Sequence, residues 1–204
     1  MSTTLGAVIA GGASTRFGSP KALAEVAGER VVDRVIATLL TVVPDVVAIA
    51  NDASLARAIG LPFRGDVFAG AGALGGIHAS LLWASERGEH GVLAVACDMP
   101  FLPAVLLGAV LGRANDAIDV VVPESTGRRG VEPLAAYYSV TCIPAMEAAL
   151  ERGDHRMIAF HEDVRVARLP LDVVRGFGDP AVLFMNLNTP GDRALAQRIA
   201  GAGS

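Results

Sequence analysis

Cysteine and paired metal-ligand patterns are nearly absent from the chain. It contains only two cysteines, Cys97 and Cys142, far apart in the sequence. Two thiolates cannot complete a four-cysteine zinc site, and their spacing excludes a CxxC redox motif. The four histidines form neither an HExxH pattern nor another paired ligand spacing. The sequence therefore gives no support for a zinc site or a redox-active dithiol.

Long apolar runs are also missing. No stretch of 18 residues is free of glycine, proline and charge, so a membrane span is not expected. The first ten residues lack the basic segment and the length of a signal peptide. We therefore expect a cytoplasmic protein of a reducing compartment, without a membrane partner.

Positive charge is in deficit. Lys and Arg together number 17 against 21 Asp and Glu, which gives a net charge of -4. A nucleic-acid partner is not expected, because binding to phosphate backbones needs a basic surplus. Hydrophobic residues make up 52% and charged residues 19%. This composition excludes a disordered chain and predicts one domain over residues 1–204.

Lysine is the rarest basic residue. Lys21 is the only lysine among the 17 basic side chains, so the other sixteen are arginine. A coding bias towards arginine explains the sixteen, but not why one lysine persists in a glycine-rich loop. Lysine presents a compact point charge to a phosphate, whereas arginine presents a planar fork. The distribution favours a phosphate-binding role for Lys21.

Apolar segments alternate with segments of helical spacing along the chain. This pattern predicts an α/β fold in which a mostly parallel sheet is covered by helices on both faces, a three-layer sandwich. In such sheets, ligands bind beyond the carboxyl ends of the strands. Strands are predicted at 5–10, 45–50, 63–68, 91–96, 119–122 and 134–138, and helices at 30–42, 77–85, 103–113, 139–151 and 189–200.

The loop 11–21 follows the first predicted strand. Gly11 and Gly12 have no Cβ, so the main chain can approach a ligand closely. Arg16 and Lys21 supply the positive charge that a polyphosphate requires. Lys21 is followed by Ala22, so this is not a Walker A motif. The alternative is an ordinary surface turn. We favour a nucleotide-binding loop, with Arg16 and Lys21 as catalytic residues.

Asp98 comes directly after the predicted strand 91–96. A carboxylate at that position can bind Mg²⁺, which takes one or two carboxylates together with substrate phosphates. The alternatives are a cap for helix 103–113 or an Asx turn. Beside a polyphosphate loop we favour metal binding, which makes Asp98 a catalytic residue together with Arg16 and Lys21. Asp66 has a weaker signal of the same kind: it contacts nucleotide or metal, or lies in a turn.

Further candidates lie in the second half of the chain. Asn186 and Asn188 lie two residues apart in an extended segment, which places both amides on one side. There they can form hydrogen bonds to a polar ring. A turn leading into helix 189–200, with Thr189 as its N-cap, is the alternative. Glu132 either lines a pocket or ends a turn. Arg128 and Arg129 attract an anionic second substrate or lie in a solvated loop.

The glycine-rich loop 70–76 contains a GxGxxG pattern at 70–75. This pattern is typical of a dinucleotide-binding Rossmann protein, and Asp98 follows at a distance near the usual spacing. The preceding predicted strand is short and polar, however, and the Lys21 loop has no role in that scheme. An NAD(P)-binding protein remains the minority alternative.

Five segments together resemble the MobA-like nucleotidyltransferases, and they span nearly the whole chain. The first signature is shared by many sugar and cofactor nucleotidyltransferases, whereas Asn-x-Asn-Thr-Pro is more specific and resembles molybdenum cofactor guanylyltransferases. Ala73 departs from the proline that is usual in the family. The segments are 10–21, 72–77, 97–102, 132–138 and 186–190.

The resemblance implies a Rossmann-like nucleotidyltransferase fold of the GT-A-like type. It also implies transfer of GMP from GTP to molybdopterin, giving the guanine dinucleotide cofactor and pyrophosphate, with Mg²⁺ as cofactor. The implied site residues are Ala10, Gly11 and Gly12 at guanine and ribose, Lys21 at phosphate, Asn51 and Asp66 along the nucleotide, Asp98 at Mg²⁺ and nucleotide, and Asn186 and Asn188 at the pterin.

Two alternative hypotheses about the nucleotide and the acceptor remain open. A cytidylyltransferase for molybdopterin, or a nucleotidyltransferase for another sugar or cofactor phosphate, would carry the same first signature. Molybdoenzymes or their chaperones are the expected recipients of the product. In every variant of this reaction the protein needs no covalent nucleophile, because positioning and charge stabilisation suffice.

Overall fold

The computed structural model describes residues 3–10, 23–68 and 70–202. Seven strands of this part form one sheet in the order β5-β4-β1-β6-β8-β7-β9, and β2 and β3 form a separate hairpin. The strands are β1 (Thr4–Ile9), β2 (Glu25–Val26), β3 (Glu29–Arg30), β4 (Val46–Ile49), β5 (Phe63–Arg64), β6 (Gly91–Ala96), β7 (Val120–Pro123), β8 (Ala135–Ser139) and β9 (Val166–Leu169).

The sheet is mostly parallel, as the sequence predicts. Strand β8 is the exception, since it runs antiparallel to both β6 and β7. The central strand β1 pairs in parallel with β4 on one side and β6 on the other. All six residues of β6 are buried, which explains its continuous apolar sequence, since a central strand of a covered sheet is enclosed on both faces.

Helices cover both faces of the sheet. Helices α1 and α4 contribute to the apolar cluster on one face, and α3 and α5 to the cluster on the other. The three predicted layers are confirmed. The helices are α1 (Val31–Leu40), α2 (Ala53–Ile59), α3 (Gly72–Glu86), α4 (Ala104–Leu111), α5 (Ile143–Glu151), α6 (Leu171–Arg175), α7 (Pro180–Leu183) and α8 (Pro190–Ala202). Within the described residues, none of them has the length and apolarity needed to cross a membrane.

Two predicted elements are wrong in extent. The predicted loop 70–76 is largely helix, because α3 begins at Gly72. An ideal Cβ at Gly76 would lie 2.9 Å from Ile9 Cγ2, so the glycine allows close packing of α3 on the sheet. The predicted strand 63–68 is reduced to the two residues of β5, an edge strand that leaves Asp66 in the following loop.

The buried carboxylate of Asp119 connects the ends of β7, β8 and β9. This cluster lies at the end of the sheet opposite to the carboxyl ends of β1 and β6. Asp119 precedes β7 and accepts hydrogen bonds from Arg165 at 2.6 and 2.8 Å and from the Thr141 hydroxyl at 2.7 Å. Hydrogen bonding by the Arg165 guanidinium holds the pKa of Asp119 well below its usual range. A cavity of about 480 Å³ beside this cluster is lined in part by His90 and Tyr137.

Candidate active site

Four of the predicted site residues follow four neighbouring strands at one edge of the sheet. Asp66 follows β5, Asn51 follows β4, Ala10 follows β1 and Asp98 follows β6. These strands are adjacent and parallel, so their carboxyl ends meet at the same edge. Main-chain bonds extend the pairing past the strand ends: the N–H of Ala10 donates to the Ile49 carbonyl at 2.9 Å. Folding therefore brings together residues that lie up to 88 positions apart in the sequence.

Asn51 and Asp66 form a doubly hydrogen-bonded pair. The amide Nδ2 of Asn51 donates to Asp66 Oδ2 at 2.9 Å, and the main-chain N–H of Asp66 donates to Asn51 Oδ1 at 2.7 Å. Gly65 makes this possible, since an ideal Cβ there would lie 3.0 Å from Asn51 Oδ1. The amide thus fixes the carboxylate in one orientation, so Asp66 is more than an isolated turn residue.

Helix α3 supports the same carboxylate from its first turns. An ideal Cβ at Gly75 would lie 3.5 Å from Asp66 Oδ2, and one at Gly76 would lie 3.7 Å from Asp66 Oδ1. The glycines let the loop carrying Asp66 lie directly on the helix. The GxGxxG pattern is therefore a packing surface after an edge strand, whereas a dinucleotide fingerprint follows a central strand.

Asp98 lies beside the Asn-x-Asn segment. The main-chain N–H of Leu187 donates to the Asp98 carbonyl at 3.1 Å. Leu187 itself is fully buried in a small apolar cluster with Val26 and Val31. Helix α4 begins after Pro103, which is its N-cap residue and lies five positions beyond Asp98.

The two asparagines flank this contact. The Asn186 side chain donates to the Phe184 carbonyl at 3.1 Å, and the Asn188 main-chain N–H donates to Asp192 at 2.9 Å. Asp192 and Thr189 also cap the start of α8 reciprocally, with bonds of 2.7 and 3.1 Å. The predicted N-cap is thereby confirmed, and it anchors the segment that reaches Asp98.

A basic groove lies past Asp98 on the β8 and β7 side of the sheet. Its cavity of about 480 Å³ is lined in part by Arg128, Arg129, Glu132 and Arg156. Burial raises the pKa of Glu132 and the charge of Asp98 adds to this, while the Leu134 N–H and Arg129 oppose the shift. Sequence reasoning missed Arg156, because no motif marks it and only folding brings it to residues 128–132.

The remaining predicted site residues fall in a part of the chain without a structural description. Gly11, Gly12, Arg16 and Lys21 lie outside the described residues. Their roles stay predictions from the sequence. Ala10, which borders this loop, is buried at the end of β1, between the strands that carry Asn51 and Asp98.

A mostly parallel sheet with polar residues gathered at its carboxyl edge is the architecture of nucleotide-binding α/β proteins. Residues 6–166 match the model of the MobA-like NTP transferase domain. The chain belongs to the MobA-like NTP transferase family. The dinucleotide-binding alternative is therefore wrong.

Similar proteins extend the match over the whole chain. A molybdenum cofactor guanylyltransferase from Desulfosudis oleivorans is 34% identical over 100% of this chain and 98% of its own length. A probable one from Pelotomaculum thermopropionicum is 36% identical over 96% of this chain and 92% of its own. The crystal structure of molybdopterin-guanine dinucleotide biosynthesis protein A from Archaeoglobus fulgidus has a TM-score of 0.80 and 25% identity, covering 98% of this chain and 100% of that one.

Proposed function

We propose that this protein is a Mg²⁺-dependent molybdenum cofactor guanylyltransferase, which transfers GMP from GTP to molybdopterin. The observation that carries the proposal is the contact of Leu187 with Asp98. It joins the Asn-x-Asn segment to the strand edge that carries Asn51 and Asp66. The full-length similarity to guanylyltransferases supports the choice of substrates.

The nucleotide is assigned to the β5, β4 and β1 side of Asp98. Guanosine offers N–H and O–H donors, and an ionised carboxylate is purely an acceptor. Asp66, held by Asn51, supplies a fixed acceptor of this kind. Ala10, Gly11 and Gly12 would allow the base and ribose to approach the main chain, and Arg16 and Lys21 would bind the phosphates.

The donor set fits a magnesium ion. Within the described ranges, no three His, Cys, Asp or Glu side chains gather into a metal cluster. Mg²⁺ is commonly held by one or two carboxylates, with water and substrate phosphates completing its shell. Asp98 would hold the ion against the triphosphate. When bound, Mg²⁺ neutralises charge on the phosphate oxygens and on the leaving group.

The acceptor is assigned to the opposite side of Asp98. Asn186 and Asn188 offer amides for the polar pterin ring, and Arg128 and Arg129 in the groove attract an anionic substrate, while Arg156 in the same lining is paired with Asp154. A terminal phosphate oxygen of the pterin forms a bond to the α-phosphorus of GTP. The bond from that phosphorus to the β-phosphate oxygen breaks, and pyrophosphate leaves. The product then passes to molybdoenzymes or their chaperones.

The test is a pyrophosphate-release assay with the full chain, molybdopterin and each of GTP, CTP, UTP and ATP. We expect release with GTP, with Mg²⁺ and the pterin both required. A clear preference for CTP would make the protein a cytidylyltransferase. Release with a sugar phosphate in place of the pterin would contradict the assigned acceptor.

A further inference from the structure

His78 is an unusual buried group on α3. Its side chain is 1% exposed, and the other buried polar residues in the described part of the chain are Ser80 and Asp119. Ser80 bonds its own helix through the Ile77 carbonyl, and Asp119 is clamped by Arg165. His78 instead contacts two elements outside its helix. Neither contact belongs to the catalytic groups assigned above.

The first contact is with α5. His78 Nε2 lies 3.2 Å from Glu147 Oε1. Because a carboxylate accepts and does not donate, the Nε2–H group of His78 is the donor of this bond. The other ring nitrogen, Nδ1, is buried and has no hydrogen-bond partner among the described residues. A buried polar atom without a partner weakens a fold, so stability alone does not account for histidine at this position.

The second contact is with the loop that carries Asp66. The rings of His78 and Phe68 meet edge to face, with centroids 5.3 Å apart and planes at 72°. The Phe68 carbonyl accepts a bond from the Ala71 N–H at 3.2 Å, just before α3 begins. Two contacts thus hold the loop 66–68 on α3. Asp66 packs on Gly75 and Gly76, and Phe68 packs on the ring of His78.

We propose that His78, fixed by Glu147, is a positioning residue that holds Phe68 and thereby sets the Asp66 carboxylate for the nucleotide. This inference rests on the proposed function, which places the nucleotide at Asp66. It links the half-buried Glu147 on α5 to the nucleotide side of the site. The acceptor side does not depend on it, since Asn186, Asn188 and the arginine groove lie on other elements.

The first test uses His78→Leu, Glu147→Ala and Phe68→Leu in the full chain. A loose loop weakens nucleotide binding, so we expect the KM for GTP to rise about tenfold in His78→Leu. The KM for molybdopterin and kcat should stay within about twofold of the unmodified protein. Glu147→Ala should shift the KM for GTP in the same direction by less. Matched controls are Ser80→Ala on α3 and Glu151→Ala on α5, which should change neither KM.

A double variant separates positioning from general loosening. His78→Leu combined with Phe68→Leu should raise the KM for GTP no further than either alone, because both remove the same contact. If His78→Leu does not fold, the KM for GTP of Glu147→Ala and of Phe68→Leu tests the proposal instead. The proposal is wrong if the KM for GTP stays unchanged, or if the KM for the pterin rises equally. A wild-type chain that transfers no nucleotide overturns both this proposal and the proposed function, whereas active wild type with unaffected variants overturns only the role of His78.

Discussion

The main-chain N–H of Leu187 donates a 3.1 Å hydrogen bond to the carbonyl of Asp98. The two residues are 89 positions apart in the sequence, and Asp98 follows the buried strand β6. The buried Leu187 side chain anchors the segment, so Asn186 and Asn188 flank a residue whose main chain contacts Asp98. The segment that carries the predicted pterin ligands thereby lies next to the predicted metal ligand.

Asp98→Asn should abolish the magnesium dependence together with most of the turnover. Replacing the carboxylate by a neutral amide removes the charge that would hold Mg²⁺, and we expect a loss of roughly a hundredfold or more in kcat. Pyrophosphate release against Mg²⁺ concentration measures the effect. An unchanged Mg²⁺ response in a folded variant would contradict the metal assignment.

Lys21→Ala should lose turnover by roughly a hundredfold without unfolding the protein, because it removes a point charge from the phosphates. Lys21→Arg should restore only part of the activity, since the planar guanidinium has a different geometry. Circular dichroism checks the fold, and steady-state kinetics check the rate. Full activity in Lys21→Ala would remove the loop from the mechanism.

The Asp119 cluster should make stability depend on acid pH. The pKa of Asp119 is lowered in the folded state, so the unfolded chain binds a proton more readily. Its stabilising contribution is complete above the unfolded value of about 3.9 and is lost as the pH falls below it. Urea unfolding between pH 3 and 7 measures this loss.

In Asp119→Asn the loss of stability between pH 7 and pH 3 should be smaller, and the variant should be less stable at neutral pH, because a neutral amide replaces the charged acceptor of the bonds from Arg165 and Thr141. The control is Asp163→Asn at an exposed position. Its free energy of unfolding should fall with pH as in the wild type. If the free energy of unfolding of Asp119→Asn falls as steeply at low pH as that of the wild type, the pH dependence comes from other carboxylates.

Gly76→Ala tests the close packing of α3 on β1. The added Cβ would lie 2.9 Å from Ile9 Cγ2, which predicts a destabilisation of about 1–3 kcal/mol. Gly108→Ala in α4 is the matched control: an ideal Cβ there meets nothing within 4 Å, so it should stabilise the helix by about 0.5–1 kcal/mol. Thermal unfolding of both variants decides, and equal effects would contradict the packing argument.

The central strands could be predicted because burial on both faces forces continuous apolar sequence, as in β1 and β6. Edge elements leave weaker patterns. Strand β9 is only half-buried over most of its length and was missed. Helix α2 was also missed, although Asp52 caps its first turn and Gly60 ends it at φ 81°. Those two residues are the signal that could have found it.

The start of α3 was predicted as a loop because its sequence is rich in glycine, which disfavours helix. Only tertiary packing shows why this helix needs glycine. For the site, position after a strand pointed to Asp66 and Asp98, and the family resemblance pointed to Asn51; the structure places all three at one edge of the sheet. The bonds between Asn51 and Asp66, the approach of Leu187 to Asp98, and the role of Arg156 depend on long-range folding. No local pattern encodes such contacts.

The reversed direction of β8 has an evolutionary consequence. In the described part of the chain, Ala10, Asn51 and Asp66 form the edge on one flank of Asp98, whereas the segments 124–132 and 186–188 lie on the other, so the proposed nucleotide and acceptor sides are encoded by separate stretches of the gene. The segment between β7 and β8 is closed at its base by the bridge of Glu124 to Val131. Its tip can therefore change in length or charge while the proposed nucleotide side keeps its shape, which would let one scaffold take new phosphorylated acceptors.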